Sequence, residues 1–73
     1  MTLDETLQND LMRMLRPERR NGIAALIQQY HGKFFTGDIR KEEVAMFSFL
    51  VAAALKPGMA DECSEFLKDA FEL

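Results

Sequence analysis

The chain has 73 residues, 48% of them hydrophobic and 29% charged, with a formal net charge of −3. That hydrophobic share is too high for a disordered tail, and the length allows one domain, residues 1–73, near the lower limit of what a single core stabilises unaided. One cysteine, Cys63, excludes an intrachain disulfide, and with one histidine it is a poor supply for structural zinc, so tight helix packing or oligomerisation must supply the rest.

Thr2-Leu3-Asp4-Glu5 fits a capping box, with Thr2 accepting from a first-turn amide and Glu5 reaching back. Leu3, Leu7, Leu11, Met14 and Leu15 recur at helical spacing and predict a first helix ending near Leu15. Pro17 disfavours the helical conformation at Arg16, so it ends this helix and enters the first turn of the next.

The second helix carries Ile23, Leu26, Ile27 and Tyr30 on one face and is expected to stop at Gly32. Two starts are open, Pro17 with Glu18 or Asn21 followed by Gly22. Lys33-Phe34-Phe35-Thr36-Gly37-Asp38 then reads as a connection in which one phenylalanine turns inward and the other meets the surface or an interface.

A third helix is predicted from about Arg40 to Leu55. Its stretch from Val44 to Leu55 is apolar on every side, and an all-round apolar helix must be covered all round. The bland reading is an intrachain core. The sharper one is a homodimer in which Phe47, Phe49, Leu50, Val51 and Leu55 form a core shared by two copies across an isologous contact. Lys56-Pro57-Gly58 stops this helix. The last runs from about Met59 to the C-terminus, with Cys63, Phe66, Leu67, Ala70 and Phe71 on its apolar face and Asp61, Glu62, Glu65, Asp69 and Glu72 elsewhere. The expected fold class is therefore all-α, a small bundle of three to four short helices.

The charge is distributed unevenly. Residues 1–10 hold three acids and no cation; residues 11–41 hold seven cations against Glu18 and Asp38, for +5; residues 59–73 hold five acids against Lys68, for −4. A basic middle between acidic ends invites pairing within the chain or between copies. The arginines gather at Arg13, Arg16, Arg19 and Arg20 around Pro17. Guanidinium groups pair with carboxylate and phosphate, so this corner has three readings: a solvated turn pairing with the chain's own acidic last helix or with that helix in a second copy, a surface for an acidic protein partner, or a nucleic-acid phosphate contact. The acidic balance, a third helix without a polar face and an acidic fourth helix argue against a groove-reading helix, leaving nucleic acid as the alternative to a protein partner.

Other candidates read as structural. His31, at the end of the second helix, suits the negative end of the dipole. Cys63 falls on an apolar face, and acids nearby would raise its pKa, against a catalytic thiolate. Gly37, Ile39 and Glu43 resemble the glycine, central hydrophobic residue and final glutamate of an EF-hand calcium loop, but Gly32, Phe34 and Thr36 fill its early carboxylate positions, so no calcium binding is expected. No phosphate loop, nucleophile elbow or HExxH pattern occurs, and no cofactor is expected.

The first residues carry neither a basic n-region nor an apolar h-region, and the apolar run from Val44, broken by Ser48, is far short of the roughly 20 residues of a membrane span. The expectation is a cytoplasmic protein with no membrane partner. It is a non-enzymatic interaction or regulatory protein, docking through Arg13, Arg16, Arg19 and Arg20 with Phe34 and Phe35 as apolar anchors.

Overall fold

A computed structural model describes residues 4–30, 32–33 and 38–71. The described residues form an all-α bundle of four helices: α1 (Glu5–Met14), α2 (Pro17–Gln29), α3 (Lys41–Ala53) and α4 (Ala60–Phe71). α4 packs on α1 and α3, and α3 packs on α2. None of these helices is long and apolar enough to cross a membrane.

α1 starts later than the capping-box pattern implies. Asp4 is its N-cap, and the Asp4 carboxylate accepts from the Leu7 amide at 2.9 Å. A charged cap also suits the positive end of the dipole, which gives Asp4 the advantage; Thr2 lies outside the described residues. With Asp4 as cap, Glu5 is the first helical residue and cannot close a box. α1 then buries Leu11 and Met14.

α2 begins at Pro17, the earlier of the two expected starts, so Asn21 and Gly22 lie within it. Proline needs no amide partner in the first turn and its ring presets the helical φ, which outweighs the roughly 1 kcal/mol cost of an internal glycine. The helix closes at Tyr30, whose amide donates to the Leu26 carbonyl at 3.2 Å, rather than at Gly32. Gly32 and Lys33 are again helical, and of the described glycines only Gly58 has a positive φ, 83°, in the turn before α4.

α3 ends at Ala53, short of the expected Leu55, because the chain is taken up by a different contact. Leu15 and Leu55 face each other in an isolated antiparallel bridge: the Arg16 amide donates to the Ala54 carbonyl at 2.9 Å and the Lys56 amide to the Met14 carbonyl at 3.0 Å. Both corners read leucine, basic residue, proline: Leu15-Arg16-Pro17 and Leu55-Lys56-Pro57. A residue before proline is held extended, and Arg16 sits at φ −62°, ψ 136°, so its amide points away from its own helix and is free to cross to the other corner. This bridge ties the α1–α2 corner to the α3–α4 corner.

The core joins Leu11, Met14 and Leu15 with Ile23 and Ile27, Val44, Phe47, Val51 and Ala54, and Cys63, Leu67, Ala70 and Phe71. Phe47 is at its centre, fully buried, its ring edge-on to Phe71 at 5.9 Å between centroids and 65° between planes. A T-shaped pair adds about 0.5–1.5 kcal/mol beyond the area it buries.

The segment between α2 and α3 is spanned by charge. Glu43, in the first turn of α3, accepts from Lys33 Nζ at 2.5 Å, takes the Arg40 amide at 3.2 Å and faces Arg40 Nε at 3.6 Å. Lys33 Nζ also lies 5.8 Å from the centre of the Tyr30 ring. The Lys33 hydrogen bond first, and then the Arg40 amide, hold the Glu43 carboxyl below its usual pKa of 4.5. A depressed carboxylate pKa stabilises the fold above the unfolded-state value, and that contribution is lost as pH falls through the folded-state value. The expected result is a melting temperature that drops below pH 4.5 in the native protein; thermal scans from pH 7 to pH 3 will show a smaller drop for Glu43→Gln. Equal slopes for the two proteins would assign the acid sensitivity to other groups.

Candidate interaction surface

Pro17 ends α1 and opens α2 at one corner, which places the four arginines at one end of the bundle, where they divide into two kinds. Arg16 and Arg20 serve helix ends. Arg16 Nη2 donates to the Ala53 carbonyl at 2.9 Å, at the C-terminus of α3, and Arg20 Nε donates to the Met12 carbonyl at 2.9 Å, at the C-terminus of α1. The last carbonyls of a helix have no partner within it and carry the negative end of its dipole, so a guanidinium is well suited to cap them. Arg16 Nε is shielded from solvent 3.7 Å from Glu18 Oε1, an ion-pair distance too long for a hydrogen bond.

Arg13 and Arg19 face outward. Arg13 holds Asp10 at 3.2 Å one turn earlier in α1, with its side chain 69% exposed. Arg19 pairs with no acid among the described residues, although it occupies the third position of α2, where the helix dipole disfavours a cation. Among the described residues no ion pair joins any of the four arginines to α4, and Lys68, the one cation of α4, lies 4.0 Å from Glu65 of the same helix. Within one chain, then, two of the four arginines cap carbonyls at the ends of α1 and α3, and none of the four pairs with the acidic last helix among the described residues. Spacing along the chain does not reveal this, because a long guanidinium side chain can reach a carbonyl that lies 37 residues away in sequence, as Arg16 does.

α3 is not covered all round. Val44, Phe47 and Val51 turn inward, and Ala54 closes the same face. Phe49 is 74% exposed, Met46 58% and Leu50 39%. Of the five residues expected to make the core or a dimer seam, Phe47 and Val51 belong to the intrachain core, Leu55 is partly buried against it, and Phe49 and Leu50 face outward. Val44, Phe47, Val51 and Ala54 repeat at three and four residues, as do Met46, Phe49, Leu50 and Ala53, so the helix has two apolar faces of which the bundle uses one.

A shallow groove of about 290 Å³ opens between α2 and α3, lined by Gly22, Ile23 and Leu26 on one side, Leu50, Ala53 and Ala54 on the other, with Arg19 at its end. The surface is thus apolar along its length and cationic at one end. A second depression, between α3 and α4, is lined by Ser48, Ala52, Leu55, Ala60, Cys63, Ser64 and Leu67. Cys63 is buried, and desolvation, rather than the neighbouring acids, pushes its thiol pKa up. Phe34, Phe35 and His31 lie outside the described residues, and the large apolar side chains exposed among the described ones are Phe49, Leu50 and Met46. Among the described residues there is no group of three or more His, Cys, Asp or Glu that could hold a metal ion.

No family model matches the chain, and comparison with curated proteins and with solved structures finds no match either.

Proposed function

We propose that this chain is a small non-enzymatic interaction protein that docks on a protein partner through the outer face of α3 and the adjoining α2–α3 groove. One observation carries the reading: three large apolar side chains, Met46, Phe49 and Leu50, stand exposed side by side while the core beneath them is already filled. Scattered surface hydrophobes need no explanation, but a contiguous apolar stripe beside a groove carries a desolvation gain that a partner can collect. Arg19 at the groove's end adds a cation that selects for a partner with an acidic residue next to its own apolar anchor, and it speeds encounter more than it strengthens the final complex.

Arg13 extends this basic rim, while Arg16 and Arg20 are committed to backbone carbonyls. A rim with two outward guanidiniums favours a protein over a nucleic-acid backbone, where several phosphate contacts set the affinity. The test is affinity capture from the native host with the wild type and with Phe49→Asp, followed by mass spectrometry. The expected result is a protein retained by the wild type and lost from a folded Phe49→Asp. Identical retention by both would sink the assignment of this face.

A further inference from the structure

The outer face of α3 carries its own complement. Glu42, Met46, Phe49, Leu50 and Ala53 follow one another at four, three, one and three residues and so share one face of the helix, with Ala45 at its edge. Glu42 stands exposed at the N-terminal end, and no described residue pairs with its carboxylate. At the other end Ala53 lines the groove beside Arg19, the cation without an acidic partner among the described residues. An unpaired acid and an unpaired base therefore bracket an apolar stripe, about 16 Å apart along the axis at 1.5 Å per residue.

We infer that this face is occupied by a second copy of the chain, in an antiparallel α3–α3 contact about a two-fold axis that runs between the two helices, level with the step from Phe47 to Ser48. The inference rests on the docking reading of the same face and names its occupant. Reversing one helix against the other about that point sets each Glu42 at the partner's Ala53 end, within reach of Arg19. The same register sets Phe49 against Met46 and Leu50 against Ala45 of the other copy, so each bulky side chain meets a flexible or small one. A parallel pair would stack Arg19 on Arg19 and Glu42 on Glu42, and so is opposed by charge at both ends. The four free charges also explain a cost: the dipole of α2 disfavours Arg19 where it stands, and a carboxylate across a dimer seam offsets that.

The interface is small. From the exposed fractions of Met46, Phe49 and Leu50, roughly 300 Å² of apolar side chain per copy is available, which falls below the about 1,200–2,000 Å² total of a standard stable interface. The dimer is therefore a weak and dynamic one.

The experiment is sedimentation equilibrium at low ionic strength on the full chain, from about 5 to 500 µM, with four variants. Wild type is expected to self-associate, and Phe49→Asp to be monomeric. Arg19→Glu and Glu42→Arg are each expected to weaken association about tenfold, since each turns two attractive contacts per dimer into repulsive ones. The double variant with both changes is expected to recover the wild-type constant. Arg19→Glu is also expected to melt no lower than wild type when dilute, because a carboxylate suits the first turn of α2, so its dimer defect cannot be put down to a damaged fold.

Wild type remaining monomeric at 500 µM would overturn the inference, as would a double variant no tighter than the single ones. A monomeric wild type whose Phe49 still governs capture of a host protein overturns the second copy as occupant and leaves the docking function standing. A dimer rescued by the double exchange, with host capture indifferent to Phe49→Asp, upholds the inference and discards the docking on a foreign partner.

Discussion

Replacing Phe47 with alanine is expected to cost about 3–5 kcal/mol, the range for deleting a fully buried phenylalanine and leaving a cavity. The ring is wholly inaccessible and edge-on to Phe71, so its loss removes contacts between α3 and α4 at the centre of the cluster that joins all four helices. At about 0.05–0.15 kcal/mol per residue, a chain of 73 residues has a total stability of about 4–11 kcal/mol. The loss is therefore a large share of the whole, and the melting temperature is expected to fall by at least about 12 °C or the cooperative transition to vanish. Phe49→Ala, two positions along, is expected to change stability by less than about 0.5 kcal/mol, because that ring is 74% exposed. Urea unfolding of both variants, at a few micromolar to keep association out of the reading, checks the contrast. A Phe49 variant as damaged as the Phe47 one would mean that the two faces of α3 are exchanged.

The same pair of phenylalanines marks the limit of what the sequence discloses. In α1 and α4 the apolar residues lie along one stripe with polar residues behind, so the spacing alone assigns Leu11, Met14, Cys63, Leu67, Ala70 and Phe71 to the core, where they are found. In α3 almost every position from Val44 to Ala54 is apolar, and the period that tells inside from outside is absent. Which face turns inward is decided by where α2 and α4 sit, a tertiary fact. The expectation that an apolar helix is covered all round rests on the average behaviour of such helices, and it fails here because α2 and α4 both lie on the inner side. The two Leu-basic-Pro corners are visible in the sequence as helix stops, yet their pairing depends on both corners meeting at one end of the bundle.

The arginine corner shows the same division between what a residue type offers and what the fold asks of it. Arg16→Ala and Arg20→Ala are each expected to lower stability by about 1–2 kcal/mol, the net worth of a charge-assisted hydrogen bond reduced for partial exposure. Arg16 carries the larger share, since its side chain caps Ala53 while its own amide binds the Ala54 carbonyl, and the two contacts fix the same corner. The alanine variant keeps the amide contact and loses the cap. Because both arginines hold the α1–α2 turn, the double variant is expected to lose somewhat more or less than the sum of the single losses, with the sign reporting whether one cap supports the other. Arg13→Ala and Arg19→Ala are expected to stay within about 0.5 kcal/mol of wild type, since the first loses an exposed pair with Asp10 and the second loses no described partner. Urea midpoints for the four single variants and the Arg16/Arg20 double, repeated at about 0.15 and about 0.5 M salt, decide the matter: short contacts to carbonyls persist where exposed ion pairs are screened. Uniform small losses at all four positions would return the cluster to a solvated patch. A split of two and two would separate the arginines that build the corner from those left to face a partner, so that Arg13 and Arg19 can be reversed in charge without loss of the fold that presents them.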